Sequence, residues 1–114
     1  MKCLTDSVFL IYNLVLHDIN VRMILNFRHK GLASFFENGR KNGIQAQHEK
    51  KLRLILARLT VACESRDMNL PGLRLHSLSG DLNGWFALNV SGNWRIIFRF
   101  HGAHVADVDY LDYH

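Results

Sequence analysis

The chain has 114 residues, of which 48% are hydrophobic, 11% aromatic and 21% charged. This composition is that of an ordinary globular protein and excludes collagen-like, disordered and disulfide-dense classes. The length fits one domain, which can bury a core without metal or disulfide cross-links but cannot contain a separate cofactor domain.

Basic residues are concentrated in one stretch of the chain. There are 14 Lys and Arg against 10 Asp and Glu, a net charge of +4. Residues 28–58 contain only two acidic residues, Glu37 and Glu49, against eight basic ones. This excess favours a polyanionic partner such as nucleic acid, and a solvated helix surface is the alternative. The eight basic residues are Arg28, Lys30, Arg40, Lys41, Lys50, Lys51, Arg53 and Arg58.

The cysteines and the apolar segments indicate where the protein works. Cys3 and Cys63 have neither the spacing of metal ligands nor that of a disulfide framework, which favours a reducing cytoplasm. The longest apolar stretch, residues 8–16, is shorter than the ~20 residues that span a membrane, and no signal-peptide cleavage site follows it. We therefore expect a cytoplasmic protein with no membrane partner.

Residues 1–22 differ from the rest because they show no clear period, whereas a cleaner pattern begins at Met23. One interpretation is a misassigned start codon, with the true protein beginning at Met23. The other is an added element that packs on the domain. In both cases we expect residues 23–114 to form the domain and residues 1–22 to be an N-terminal extension.

Two helices are predicted after a short β-prone segment at residues 24–27. The first is a short helix that ends at Gly39 as its C-cap, since apolar residues at i, i+3 and i+4 precede this glycine. The second extends from Gln45 to about Ala62, with apolar residues at i, i+3, i+4 and i+7. The apolar positions are Leu32, Phe35 and Phe36 in the first helix and Leu52, Ile55, Leu56 and Leu59 in the second.

Strands follow Pro71 and Gly72. Alternating segments at residues 73–76, 85–90, 94–100 and 105–110 are separated by short turns, which favours an antiparallel meander. Because the helices come first and the strands later, the expected fold is α+β, with two N-terminal helices packed on a mainly antiparallel sheet.

Polar residues on these strands are the first candidates for chemistry. Arg74 and His76 alternate with apolar residues, and Arg95 and Arg99 do the same on a later strand. If the strands are neighbours, one sheet face carries several cations and an imidazole. Cleavage of a phosphodiester needs cations for the growing negative charge and a group that transfers protons near neutral pH. An exposed polar sheet face without activity is the alternative.

The C-terminal run from Asp109 to His114 is the second candidate. It contains two tyrosines, two aspartates and a histidine. Tyrosine rings stack on unpaired bases in readers of single-stranded RNA, whereas a polar strand end is the alternative interpretation. No metal motif, Walker A loop, G-x-G-x-x-G or G-x-S-x-G sequence occurs, so we expect no metal and no cofactor.

Short motifs that match one known family are spread over most of the chain. They are Gly31-Leu32, Phe35-Phe36-Glu37, Gly39, residues 43–46, residues 68–72, Leu75-His76, Gly80-Asp81, residues 90–95, residues 107–110 and residues 112–114. Together they resemble the HigB-type killer toxins of the RelE superfamily. The likeness covers residues 23–114, and the Asn-Trp-Arg strand together with the Asp-Tyr-His ending is its most specific part.

The resemblance implies a fold, an activity and partners. The fold is a small twisted sheet covered by helices. The activity is cleavage of messenger RNA in the ribosomal A site, without a metal. The partner is a HigA-type antitoxin with a helix-turn-helix domain, which neutralises the toxin and connects it to operator DNA. This type II toxin–antitoxin function makes the ribosome and mRNA the other expected partners.

The resemblance also implies residue roles. His76 matches a catalytic strand histidine, and Arg95 matches an arginine that stabilises the pentavalent phosphate. Asp112, Tyr113 and His114 match the C-terminal catalytic cluster. One departure concerns Ser79, because many relatives have a lysine there. Either Arg74 or Arg99 supplies the missing cation, or the cleavage rate is lower. The cations expected to contact RNA or the ribosome are Lys50, Lys51, Arg53, Arg58, Arg74 and Arg99.

The leading hypothesis is therefore a ribosome-dependent endoribonuclease. A ribose 2′-OH attacks the adjacent phosphate, with Asp112 or His114 as the base, His76 or His114 as the acid, and Tyr113 stacked on a base. The rival is a non-catalytic RNA-binding or protein-interaction domain on the same scaffold. A DNA-binding regulator is a third option, although no helix-turn-helix spacing is present.

Overall fold

The computed structural model describes residues 24–113, so the expectations for the extension at residues 1–22, for a start at Met23 and for His114 lie outside the described residues. Within them, helix α1 (Lys30–Asn38) and helix α2 (Glu49–Val61) precede a four-stranded sheet. Its order is β1-β2-β3-β4, and every neighbouring pair is antiparallel. The strands are β1 (His76–Ser77), β2 (Trp85–Ser91), β3 (Trp94–His101) and β4 (His104–Asp112). The predicted α+β class is confirmed.

Capping residues fix both ends of α1, and a 3₁₀ turn sets the start of α2. The imidazole of His29 caps α1 by accepting a hydrogen bond from the Leu32 N–H, and Gly39 ends it in the left-handed conformation. The second helix was predicted from Gln45, but a 3₁₀ turn at Ala46–His48 precedes α2, which begins at Glu49. The apolar positions predicted for α2 are all buried. The predicted helix pattern is thus correct except for this first turn.

Alternation along β2 and β3 separates two apolar clusters. Phe98 and Ile96 on β3 pack with Leu88 of β2 against the helices, in the main core. On the opposite sheet face, Trp85 and Ile97 belong to a smaller cluster with Ala87. We call the first side the helix face and the second the open face. Because side chains alternate along a strand, Asn89 and Arg95 lie on the open face, where they are paired in register.

The predicted strand at residues 73–76 is wrong for its first three residues. The strand begins only at His76, because Arg74 has a left-handed backbone with φ 50° that interrupts the ladder. Leu73 is nevertheless buried, and its carbonyl accepts a hydrogen bond of 2.7 Å from the Asn89 N–H. The last strand, predicted to end at Tyr110, continues to Asp112.

The segment before α1 lies along the outer edge of β4. Ile24 and Phe27 form isolated parallel bridges with Val105 and Val108. The predicted β character of residues 24–27 is therefore confirmed as two bridges rather than a strand. This arrangement covers the free edge of β4, which would otherwise expose unpaired backbone groups.

The start of α1 touches the loop before α2 through two glycines. A Cβ built on Gly31 lies 2.6 Å from the Gly43 carbonyl oxygen, and a Cβ built on Gly43 lies 2.5 Å from the Gly31 Cα. These distances are below any real Cβ contact, and the obstructing atoms are backbone. Only glycine at both positions lets the two segments approach this closely.

We predict that Gly43→Ala lowers the free energy of unfolding by about 1–3 kcal/mol, because the new methyl group must push two backbone segments apart. Urea denaturation followed by circular dichroism measures this change. Lys30→Ala, at an exposed position of the same contact region, is the control and should remain within about 0.5 kcal/mol of the wild type. Equal stability of the two variants would contradict the close approach.

A buried polar contact joins α2 to the sheet. His48, only 2% exposed, has its Nδ1 2.6 Å from the Tyr110 hydroxyl, which also accepts a hydrogen bond from the Gln45 N–H. The Trp94 ring covers both, with centroids 4.6 Å from Tyr110 and 5.6 Å from His48. Burial, and then the charge of Lys51, lower the pKa of His48, while burial raises the pKa of Tyr110. At neutral pH His48 is therefore held in its neutral form, with Nδ1 in hydrogen-bond contact with the Tyr110 hydroxyl.

This lowered pKa predicts a loss of stability in mild acid. Below the ordinary histidine pKa of about 6.5 the unfolded chain takes up a proton at His48 more readily than the folded chain does. The free energy of unfolding therefore falls as the pH falls toward the folded-state pKa. His48→Asn retains an acceptor but does not titrate. We expect the stability of the wild type relative to this variant to fall between pH 7.5 and 5.5 in urea titrations. Parallel pH profiles would contradict the buried neutral imidazole.

Candidate functional site

An open cleft of about 540 Å³ lies at the end of the sheet where the β2–β3 hairpin turns, and none of the residues 24–113 that line it is acidic. Three of the predicted site residues, Arg74, His76 and Arg95, meet in this cleft. Two guanidinium groups and one imidazole therefore face a single space, an arrangement that suits an anionic ligand. The lining residues are Arg74, Leu75, His76, Asn89 and Arg95.

The backbone fixes the orientation of the His76 ring. Its Nδ1 lies 2.8 Å from the carbonyl oxygen of Arg74. A carbonyl oxygen only accepts hydrogen bonds, so Nδ1 must carry a proton. In the neutral ring the other nitrogen, Nε2, then carries the lone pair and can accept a hydrogen bond. The left-handed residue Arg74 thus contributes its backbone as well as its charge.

The hairpin turn holds the guanidinium of Arg95. Its Nη1 donates hydrogen bonds to the carbonyl oxygens of Gly92 (2.7 Å) and Trp94 (3.1 Å), and the side chain is half-buried. A guanidinium has five N–H groups, so donors on Nε and Nη2 remain for an anion in the cleft. Because the turn restrains the side chain, little rotamer entropy remains to be lost on binding.

The C-terminal candidates lie at the same end of the sheet but outside the cleft. Asp112 pairs with Trp94 in register, so strand alternation places it on the helix face, the side opposite to the cleft. The N–H of Tyr113 donates to the Asn93 carbonyl at 2.8 Å. The Tyr113 ring is 38% exposed. These contacts bring the end of β4 to the hairpin turn that holds Arg95. His114, the third member of the predicted cluster, lies outside the described residues.

Arg99 is separated from the cleft. It lies four residues beyond Arg95 on β3, about 13 Å away at strand spacing. Its Nε donates to Asp107 at 2.6 Å, and its guanidinium lies over the Trp85 ring. A hydrogen bond from Asn26, and then one from Arg99, lower the pKa of Asp107, so this carboxylate stays charged and neutralises Arg99.

Arg74 is therefore the second cation of the cleft. Ser79, where the resemblance implies a lysine, is exposed in the turn after β1 and does not line the cleft. Of the two arginines expected to replace that lysine, only Arg74 is positioned there.

The basic residues of α2 lie on the other side of the sheet, because α2 packs on the helix face. Arg53 pairs with Glu49 at 2.6 Å, and Lys51 donates to the Gly72 carbonyl at 3.3 Å. Lys50 and Arg58 are exposed. The structure does not bring these four cations together with the cleft, so they form a separate basic surface, which we call the α2 surface.

Sequence reasoning missed Asn89, which lines the cleft between His76 and Arg95. The available signal was its residue type, since asparagine is depleted in strands and β2 is otherwise apolar except at its last residue. Among residues 24–113 no group of three or more His, Cys, Asp or Glu side chains could hold a metal ion. In the same part of the chain, no helix has the length and apolar character needed to cross a membrane.

Comparison with known proteins identifies the family. The family model described as RelE-like toxin of type II toxin–antitoxin system HigB matches residues 25–114. The chain is 37% identical over 92 residues to Endoribonuclease HigB of Proteus vulgaris, covering 81% of this chain and 100% of that protein. It is 34% identical over 94 residues to Toxin HigB-1 of Vibrio cholerae serotype O1, and the alignment covers 81% of this chain and 98% of that protein. The chain therefore belongs to the HigB family of RelE-like toxins of type II toxin–antitoxin systems.

Proposed function

We propose that this toxin is an endoribonuclease that cuts messenger RNA in the A site of the ribosome, without a metal ion. The observation that best supports this proposal is the cleft lined by His76, Arg74 and Arg95. In this cleft the Nδ1 of His76 is bound to a backbone carbonyl, which leaves Nε2 for proton transfer. The name of the Proteus vulgaris relative, an endoribonuclease, supports the same reaction class.

The reaction uses the RNA's own 2′-OH as the nucleophile. A base removes the 2′-OH proton as the oxygen attacks phosphorus, and the bond from phosphorus to the 5′-oxygen breaks. An acid delivers a proton to that 5′-oxygen. The products are a 2′,3′-cyclic phosphate, which can open to a 3′-phosphate, and a 5′-OH end. General acid–base catalysis of this type contributes typically about 10²–10⁴-fold to the rate.

The roles follow from charge and position. Nε2 of His76 acts as the acid or the base. Asp112 or His114 takes the complementary role, which for Asp112 requires the end of β4 to turn from the helix face toward the cleft. Arg95 stabilises the charge that grows on the non-bridging oxygens, since its remaining N–H donors are held in place by the turn. Arg74 supplies the second positive charge. Tyr113, with its partly exposed ring at the end of β4, stacks on a base.

Ribosome binding is assigned to the α2 surface. Lys50, Lys51, Arg53 and Arg58 contact ribosomal RNA phosphates, and the helix that carries them packs on the sheet face opposite to the cleft. One side of the toxin then holds the ribosome while the other holds the messenger. Phosphate contacts of this kind weaken steeply with salt, because binding releases counterions.

The proposal includes the partners and the compartment. A HigA-type helix-turn-helix antitoxin neutralises the toxin in the cytoplasm, and operator DNA is bound only through that antitoxin. The net charge of +4 favours an acidic binding segment on such a partner.

We predict that the purified toxin cuts a defined messenger RNA inside the A-site codon only when programmed ribosomes are present, as mapped by primer extension. His76→Ala should reduce the cleavage rate by about 10²–10⁴-fold, because it removes the proton-transferring imidazole. His101→Ala is the matched control: this exposed histidine lies at the far end of β3, and the variant should cut at the wild-type rate.

The outcomes separate the hypotheses. Folded wild-type protein that cuts no RNA in either reaction is the result expected of a non-catalytic RNA-binding or protein-interaction domain. If the protein also cuts RNA when no ribosomes are present, only the proposed ribosome dependence is contradicted, and the nuclease activity stands. A His76→Ala variant as active as the control contradicts the assignment of His76.

A second prediction concerns the α2 surface. The double variant Lys50→Gln/Arg58→Gln changes two exposed residues and leaves the Arg53–Glu49 and Lys51–Gly72 contacts intact. We expect weaker binding to ribosomes in sedimentation assays, with a log–log salt slope smaller by up to about two, and unchanged stability. Arg66→Gln, at an exposed residue outside both surfaces, is the control. Unchanged ribosome affinity of the double variant contradicts docking through α2.

A further inference from the structure

Asn89 lines the cleft together with His76 and Arg95. It is paired in register with Arg95 on β3, and its neighbour Ala87, two residues away on the same face, is paired with His76. Cross-strand partners have Cβ atoms about 5 Å apart, and diagonal neighbours lie about 7–8 Å apart. The Asn89 side chain therefore lies within reach of any group that contacts both His76 and Arg95.

The fold does not account for an asparagine at this position. The other open-face residues in the body of β2, Trp85 and Ala87, are buried in the smaller apolar cluster. Asparagine is unfavourable within a strand, and no hydrogen bond joins the Asn89 side chain to another of the described residues. The half-buried amide instead opens into the cleft.

The backbone around Asn89 is built to hold its side chain in place. Its N–H donates to the Leu73 carbonyl at 2.7 Å, which fixes the segment that carries Arg74. The β2–β3 register shifts between Asn89 and Ser91, an irregularity of the kind that re-aims side chains beside active sites. The backbone of Asn89 is thus restrained both by its hydrogen bond to Leu73 and by its pairing with β3.

From this position we infer that Asn89 is a further catalytic residue: its amide Nδ2 donates a hydrogen bond to a non-bridging oxygen of the scissile phosphate, beside Arg95. The inference rests on the proposed function, because it requires RNA cleavage in this cleft. As phosphorus becomes pentavalent, the negative charge on that oxygen grows, so the hydrogen bond strengthens in the transition state. Removal of one such donor typically costs about 10²–10³-fold in kcat.

The test compares Asn89→Thr with Asn89→Val on programmed ribosomes. These two side chains have the same shape and both suit a strand, but only threonine carries a donor. We expect the valine variant to lose about 10²–10³-fold in kcat with KM nearly unchanged, and the threonine variant to retain most of the activity. Asn89→Asp, which directs a negative charge at the phosphate, should be at least as impaired as the valine variant. Asn38→Ala, at the exposed end of α1 on the helix face, is the control.

A binding measurement separates catalysis from recognition. Ribosomes programmed with an mRNA that carries a 2′-deoxy nucleotide at the cut site cannot be cleaved, and the threonine and valine variants should bind them as tightly as the wild type does. Equal cleavage rates for the threonine and valine variants, while the wild type cuts normally, overturn the role of Asn89 but not the proposed function. A changed cut position at an undiminished rate also overturns it, since Asn89 would then read a base. Absence of cleavage by the folded wild type contradicts both.

Discussion

The register of the β2–β3 hairpin is the constraint on which the rest of the molecule depends. Ile96 and Phe98 are fully buried against the helices, whereas the intervening positions face the open side. A slip of one residue would bring Arg95 into the core and Ile96 into the cleft, at a cost of several kcal/mol for the unpaired charge alone. The left-handed backbone of Gly92 closes the turn that sets this register. The register that buries the core residues of β3 is therefore the same register that places Arg95 in the cleft.

Main-chain carbonyls, rather than carboxylates, orient the polar groups of the cleft. His76 is held by the Arg74 carbonyl and Arg95 by two carbonyls of the hairpin. Two arginines elsewhere pair with carboxylates instead, Arg99 with Asp107 and Arg53 with Glu49. A carbonyl fixes a donor without neutralising its charge, so the positive potential of the cleft remains available to a phosphate. This difference explains why the cleft, and not the basic stretch as a whole, is the part of the molecule suited to chemistry.

The sequence predicts those features that depend on local periodicity. The alternation of residues 94–100 and the glycine at the end of α1 identify the buried faces correctly, because each signal lies within a few neighbouring residues. The left-handed backbone of Arg74 has no such signal, since the segment around it alternates like a strand. Whether Arg74 or Arg99 supplies the second cation also could not be decided. The answer depends on an ion pair with Asp107, which is itself held by Asn26, a residue 81 positions away.

The two proposed working surfaces share a structural connection across the core. His48, at the start of α2, touches both Trp94, the residue before Arg95, and Tyr110, two residues before Asp112. The 3₁₀ turn that precedes α2 thus rests on the ends of the strands that carry the candidate catalytic groups. Exposed charges such as Lys50 contribute to the surface without contributing to this contact. Different residues of α2 therefore serve binding and folding. Its outward residues form the proposed binding surface, while its inward residues hold β3 and β4 in the arrangement that forms the cleft.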